Sequence, residues 1–143
     1  MSGIRGKDTK PEMIFRRAFH ALGFRYRLHP RNVPGKPDLV FPKYRAVLLV
    51  HGCFWHGHDC HLFRMPGTRR QFWQAKISRN RERDAEVRQQ LGEAGWRYMT
   101  VWECAIRGPG KLGAEIAIER VNTWLLGGSG NCELRGATAG GPS

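Results

Sequence analysis

The chain has 143 residues, which suits a single domain able to bury its own core. Its 24 Lys and Arg residues outnumber 12 Asp and Glu residues, and the resulting formal charge of +12 favours a polyanionic partner. The absence of a long apolar run, and of an apolar signal-peptide core in MSGIRGKDTK, argues against a membrane-spanning or secreted protein, so we expect a cytoplasmic protein that faces nucleic acid.

The first half of the chain predicts a helix followed by short strands. Thr9 and Glu12 fit a capping box, in which each side chain bonds to the backbone amide of the other residue at a helix start. Apolar residues then recur at helical spacing as far as Leu22, and Gly23 ends the helix. The predicted elements are a basic arm (1–8), a helix (9–22), a half-buried strand (24–28) and a hairpin of two strands (38–41 and 45–50). The second hairpin strand contains AVLLV, whose apolar character predicts a central position in the sheet.

The second half of the chain opens with an irregular loop, and loops of this length in a compact domain are usually functional. The predicted elements are this loop (51–70), a helix (72–93) with a break near 78–80, a strand (96–102), a last helix (112–126) and a disordered tail rich in Gly and Ser (127–143). The order of elements predicts one α/β domain over 9–126, with a central mixed β-sheet flanked by helices.

The loop carries a dense group of metal-ligand side chains. Cys53, His58 and Cys60 follow the spacing C-x4-H-x-C, and Cys104 comes shortly after the predicted strand 96–102. Because strand ends and adjacent loops converge at one edge of a sheet, these four side chains can close a tetrahedral site with no open position. We therefore predict a structural Zn²⁺. The alternative is that the thiols are buried as small hydrophobic groups.

Two histidines and one aspartate are the candidates for chemistry. His51 and His56 stand outside the zinc set, and a histidine can act as general acid or base near neutral pH. Asp38 begins the hairpin, and a carboxylate together with carbonyl and phosphate oxygens suits Mg²⁺. Taken alone, each residue also fits an ordinary role, as a loop histidine with its hydrogen bonds satisfied or as a turn aspartate.

Two further features point to duplex DNA. Phe54 and Trp55 lie among polar residues, where aromatic rings can wedge between base pairs, and a mismatched step opens most easily. A run of cations follows on the predicted helix, consisting of Lys76, Arg79, Arg81, Arg83 and Arg88. Such a run is often a solvated face, but the net charge makes phosphate contacts at least as good an explanation, and we expect them from Lys76, Arg79 and Arg83.

The segments PGKPDLVF, VHGCFWHGHDC, FWQAKISRNRERD and GWRYMTVWECA together closely resemble the very short patch repair endonucleases, the Vsr family. The resemblance covers residues 1–126 and implies a restriction-endonuclease-like core with a bound structural zinc. It also implies nicking of one strand 5′ to the mispaired T of a T:G mismatch, which arises when 5-methylcytosine deaminates. Such an enzyme would act as a monomer on double-stranded DNA at the nucleoid of a bacterium, with mismatch-repair proteins as candidate partners.

The resemblance also implies a role for each group of residues. The implied catalytic residues are Glu12, Asp38, His51, His56 and Asp84, with Asp38 binding Mg²⁺ and Asp84 orienting His56. Val50 stands at a second Mg²⁺ ligand position that is often Thr in the family, and it would act through its backbone carbonyl. The implied zinc ligands are Cys53, His58, Cys60 and Cys104. The aromatic residues implied to intercalate beside the mismatch are Phe54, Trp55 and Trp73.

Two other functions fit parts of the sequence. A zinc-stabilised DNA-binding module without cleavage activity would not need the set Asp38, His51 and His56. A restriction endonuclease of the same fold would cut undamaged sites, where an aromatic wedge costs more because matched DNA is harder to open. Restriction-type nucleases commonly carry an acidic residue and a lysine on the strand after the first aspartate. The segment AVLLV offers neither, so we expect histidine to do the work of that lysine.

Overall fold

A computed structural model describes residues 10–60 and 62–137, so the arm (1–8) and the Thr9 cap lie outside the described residues. The elements are α1 (Lys10–Ala21), β1 (Leu39–Phe41), β2 (Ala46–His51), α2 (Arg70–Glu93), β3 (Arg97–Trp102), α3 (Ala114–Gly127) and β4 (Cys132–Leu134). Short 3₁₀ turns occupy Pro42–Tyr44 and Glu103–Ala105. Within the described part of the chain, no helix is long and apolar enough to cross a membrane.

The four strands form one sheet in the order β1-β2-β3-β4. β1 and β2 are antiparallel and form the predicted hairpin, whereas β3 and β4 run parallel to β2. The sheet is therefore mixed, and the apolar strand β2 is central, as the sequence predicts. In the parallel register His51 pairs with Trp102, so the carboxyl ends of β2 and β3 lie side by side. This edge of the sheet carries the candidate site.

Alternating side chains of β2 build a core on each face of the sheet. Ala46 and Leu48 pack with residues of α1 and α3, while Val47 and Leu49 pack with Leu91 of α2. Fully burying one such Val or Leu side chain contributes about 1.5–3 kcal/mol to folding. The helices therefore cover both faces, and the domain is an α/β fold of three layers.

The structure corrects three of the sequence predictions. Residues 24–28 form only an isolated bridge, Arg27 to Val40, because the rings of Phe24 and Tyr26 turn into the core without a strand ladder. α2 runs unbroken through 78–80, because tertiary contacts of Ile77 and Asn80 outweigh the weak local propensity. The tail (127–143) is not disordered throughout, since β4 pairs with β3 and Leu134 is buried.

Candidate active site and metal centre

An acidic centre lies where α1 meets the start of β1. Asp38 Oδ2 accepts a hydrogen bond of 2.6 Å from the backbone N–H of Val50. Glu12, only 1% exposed, also reaches this centre from α1. Between the two carboxylates stands His29, whose Nε2 lies 3.2 Å from Glu12 Oε2 and 3.4 Å from Asp38 Oδ1. These three side chains are close enough to share one cation.

His29 is a residue that the sequence analysis missed. It follows the alternating run FRYRL and precedes a proline, and neither a motif nor a helical or strand spacing relates it to Glu12 or Asp38. The adjacent Asp38 carboxylate, helped by Glu12, raises the pKa of His29 above its usual value, while burial opposes the rise.

The two histidines predicted to be catalytic meet face to face. The rings of His51 and His56 are 3.8 Å apart and nearly parallel, with an interplanar angle of 3°. His56 Nδ1 lies 2.6 Å from Asp84 Oδ2, so α2 holds the ring beside the carboxyl end of β2. Burial lowers the pKa of His51 to about 3, with the neighbouring His56 as the second cause. His51 is therefore neutral near pH 7, and the stack brings together at most one imidazolium charge.

The four predicted metal ligands converge on one point. The ligand atoms of Cys53, His58, Cys60 and Cys104 all lie within 4.8 Å of one another. His58 Nδ1 is 3.5 Å from Cys53 Sγ and 3.6 Å from Cys104 Sγ. Two ligands of a tetrahedral zinc, one sulfur and one nitrogen at ordinary bond lengths, would be about 3.6 Å apart. The donor set and its spacing therefore fit a zinc ion, and burial raises the pKa of the Cys53 thiol.

Trp102 lies between this metal centre and the histidine pair. Its ring stacks on His58 at 3.9 Å and meets the His51 ring edge to face at 5.2 Å. One indole at the end of β3 therefore contacts both the Cys/His cluster and the histidine pair.

The segment after α3 closes over the metal centre. Arg135 Nη1 lies 2.7 Å from Asp59 Oδ1, and its Nη2 donates to the Asp59 carbonyl at 3.2 Å. The backbone N–H of Gly136 points at Cys104 Sγ at 3.5 Å. Asp59 stands between two of the metal ligands in the sequence, so this C-terminal segment orients the ligand loop. Its Gly-rich composition concealed this role.

The predicted intercalating residues form an aromatic cluster beside the loop. Phe54, Trp55 and Trp73 have ring centroids 5.0–5.5 Å apart, and Phe63 stacks on Phe54 at 5.8 Å. The three predicted rings are only half-buried. Asn80 of α2 donates a hydrogen bond of 2.8 Å to the Trp55 carbonyl. The cluster is thus a half-buried apolar group at the surface, anchored to α2 through Asn80.

α2 also presents the predicted phosphate contacts. Lys76, Arg79 and Arg83 are all exposed, and their spacing places them along one face of this helix. Arg81 is also exposed, whereas Arg88 is half-buried. The inner face of the same helix carries Asp84, so the basic surface and the histidine pair share one rigid support.

Comparison with known proteins gives consistent similarities. A family model described as DNA mismatch endonuclease Vsr matches residues 1–62. The chain is 41% identical to the DNA mismatch endonuclease Vsr of Escherichia coli (strain K12) over 134 residues, which cover 94% of this chain and 86% of the relative. It is 45% identical over 116 residues to the type II nicking enzyme V.XorIIP of Xanthomonas oryzae pv. oryzae, covering 81% and 85% of the two chains. The type II nicking enzyme V.NmeAIP of Neisseria meningitidis serogroup A is 41% identical over 107 residues, which cover 75% of this chain and 76% of the relative.

Proposed function

This chain belongs to the Vsr family of DNA mismatch endonucleases, and from that membership we propose that it nicks one strand of duplex DNA 5′ to the mispaired T of a T:G mismatch. The observation that carries the proposal is the joining of an acidic centre at Asp38 to the His51–His56 stack through consecutive residues of β2, Val50 and His51. A DNA-binding module without cleavage activity would have no use for this arrangement.

The architecture supports a restriction-endonuclease-like core. A mixed sheet with helices on both faces carries Asp38 at the entrance to β1 and His51 at the end of β2. The strand β2 offers neither a carboxylate nor a lysine, so the histidines stand where such a core would otherwise place those groups.

We propose Mg²⁺ as the catalytic cation, held by Asp38 and by the backbone carbonyl of Val50, with Glu12 in support. When bound, the ion would stabilise negative charge developing on the phosphate and polarise its bound water. The residues present fit a hard cation, because carboxylate oxygens of Asp38 and Glu12 both lie within 3.4 Å of His29 Nε2.

The histidine pair supplies the proton transfer in this proposal. Asp84 engages Nδ1 of His56 and thereby leaves Nε2 to accept a proton from the attacking water. The water oxygen forms the new bond to phosphorus and the bond from phosphorus to the leaving oxygen breaks. The leaving oxygen takes a proton from solvent water, and His56 later returns its own proton to solvent. His51 is held neutral by burial and supports the His56 ring by stacking.

We assign a structural Zn²⁺ to Cys53, His58, Cys60 and Cys104. Four protein ligands complete a tetrahedron and leave no position for substrate, which is typical of structural zinc. The ion would hold the loop that carries His56 and the aromatic cluster.

Recognition of the mismatch is assigned to Phe54, Trp55 and Trp73. Wedging rings into the base stack costs a few kcal/mol, about 1–3 kcal/mol less where the pair is mismatched. Lys76, Arg79 and Arg83 would hold the backbone, consistent with the +12 charge. We expect a monomer acting beside the nucleoid of a bacterium, alongside mismatch-repair proteins, since the relatives named above are bacterial.

The test is a denaturing gel of matched T:A and mismatched T:G duplexes, labelled on either strand and incubated with the protein and Mg²⁺. We expect a single nick in the T-containing strand of the T:G duplex and none in the T:A duplex. Asp38→Ala is the control and should abolish the nick while retaining DNA binding. Equal cutting of both duplexes would instead support the restriction-endonuclease alternative, and binding without any nick would support the DNA-binding module.

A further inference from the structure

His29 joins two carboxylates that come from different elements. Its Nε2 lies 3.2 Å from Glu12 Oε2 on α1 and 3.4 Å from Asp38 Oδ1 at the start of β1. Its side chain is only 17% exposed. A ring nitrogen that carries hydrogen can donate to either oxygen, whatever the state of the other nitrogen.

A few backbone hydrogen bonds between the segment before His29 and the start of β1 place His29 opposite Asp38. Arg27 N donates to Val40 O at 2.8 Å, and Val40 N donates back to Arg27 O at 2.9 Å. Two residues further on, His29 N donates to Pro37 O at 3.1 Å. His29 itself adopts a left-handed conformation with φ of 46°. Histidine is one of the few residues besides glycine that are enriched in this region, so the position restricts which side chains can stand there.

We propose that His29 is a positioning residue for the catalytic centre, which holds the Asp38 and Glu12 carboxylates so that both face one cation position. Val50 N–H donates to Oδ2 of Asp38, and His29 Nε2 lies 3.4 Å from Oδ1, the other oxygen of the same carboxylate. Two neighbouring carboxylates of like charge repel each other. Arg16 Nη1, 3.6 Å from Glu12 Oε2, offsets part of this repulsion on the Glu12 side, and His29 Nε2 is the group that contacts both carboxylates. This inference rests on the proposed Mg²⁺-dependent function and adds a residue to it.

Two uncharged substitutions distinguish the role of the His29 N–H donor from the role of the left-handed backbone at this position. His29→Asn tolerates the left-handed conformation, but its amide is too close to the main chain to reach the carboxylates. His29→Gln extends an amide N–H about as far as the imidazole Nε2. His20→Asn, at an exposed histidine on α1, is the matched control.

The first readout is single-turnover nicking of the T:G duplex as a function of Mg²⁺ concentration. We expect His29→Asn to need about tenfold or more additional Mg²⁺ for its half-maximal rate, the lower end of what loss of a ligand-orienting group costs. His29→Gln should stay within about threefold of the unchanged chain, and DNA affinity should be alike in both variants. The thermal midpoint should be lower for His29→Gln than for His29→Asn, because asparagine is favoured over glutamine in the left-handed conformation.

The second readout does not depend on activity. Mn²⁺ binding to the full-length, zinc-loaded chain is followed by electron paramagnetic resonance, with Asp38→Ala defining the signal of this centre. His29→Asn should bind Mn²⁺ about tenfold more weakly than the unchanged chain and His29→Gln nearly normally. Equal Mn²⁺ affinity in both variants, or tighter binding in His29→Asn, would overturn the positioning role. If the unchanged chain did not nick the T:G duplex at all, the proposed function would be refuted. The Mn²⁺ titration would still test whether His29 positions the cation ligands.

Discussion

His56 Nδ1 lies 2.6 Å from Asp84 Oδ2, which ties a loop histidine to the middle of α2. The same loop residue stacks on His51 at the end of β2. The ring of His56 is therefore held on two sides, by α2 through Asp84 and by the sheet strand β2 through His51.

From the His56–Asp84 contact we predict how an uncharged substitution of Asp84 changes the rate of nicking. Asp84→Asn keeps the shape but can present an amide N–H to Nδ1, so the ring loses its preferred tautomer and orientation. We expect single-turnover nicking to fall by about 10²-fold or more, and His56→Ala to cost about 10²–10⁴-fold. The double variant should be little slower than His56→Ala. Fully additive losses would show that Asp84 acts independently of His56.

The metal centre predicts a stoichiometry and a stability. One zinc per chain should be found by mass spectrometry, and Cys104→Ser should lose most of it and unfold at a markedly lower temperature, because one tetrahedral ligand is missing. Cys132→Ser is the matched control, since Cys132 lies outside the ligand set. A chain without zinc, or an equally stable Cys104→Ser, would contradict the assignment.

From the contacts of Arg135 with Asp59 we predict that the C-terminal segment slows the loss of zinc. Arg135→Ala removes both contacts to Asp59, and zinc transfer to a coloured chelator should become about 10–100-fold faster. Arg120→Ala, an exposed arginine on α3, should leave the rate unchanged. If both variants released zinc at the same rate as the unchanged chain, the segment would only cover the centre and not orient its ligands.

The aromatic cluster predicts how the mismatch is distinguished. Trp55→Ala should weaken T:G binding more than T:A binding, so that a preference of about 1–3 kcal/mol shrinks. Arg83→Ala should weaken both duplexes alike and reduce the salt dependence of binding. Titrations of both duplexes at two salt concentrations measure this difference. Equal losses on Trp55→Ala would mean that the ring only packs or contacts DNA non-specifically.

Because His51 is buried, we predict that it makes the free energy of unfolding depend on pH. Burial lowers its pKa from the usual 6.5 to about 3, so the unfolded chain takes up a proton there before the folded chain does. The contribution is therefore fully present above pH 6.5 and is lost as the pH falls towards 3. His51→Gln should lose less stability than the unchanged chain between about pH 7.5 and 5 in urea unfolding. Parallel pH profiles for the two proteins would contradict this.

Much of the fold follows from local patterns. The helical spacing of apolar residues predicts α1 and α3, and the run AVLLV predicts the central strand β2. Helical character over 72–93 predicts α2, although not its continuity through 78–80. These patterns can be recognised in the sequence because burial of one or both faces of a single helix or strand sets the spacing of its apolar residues. The convergence of Cys53, His58, Cys60 and Cys104 was also predictable, because ligand chemistry restricts which residues can stand together.

Other features depend on contacts between distant parts of the chain. β4 has three residues in a Gly-rich segment, and it forms because β3 supplies its hydrogen bonds and Asp59 of the ligand loop supplies a partner for Arg135. His29 gains its two carboxylate contacts only when α1 and β1 are packed together. Local sequence determined which residue types were present for metal binding and chemistry. Tertiary packing decided which of these residues come into contact. An ion pair or a strand pairing is stabilised by a partner distant in the sequence, and no local pattern specifies that partner.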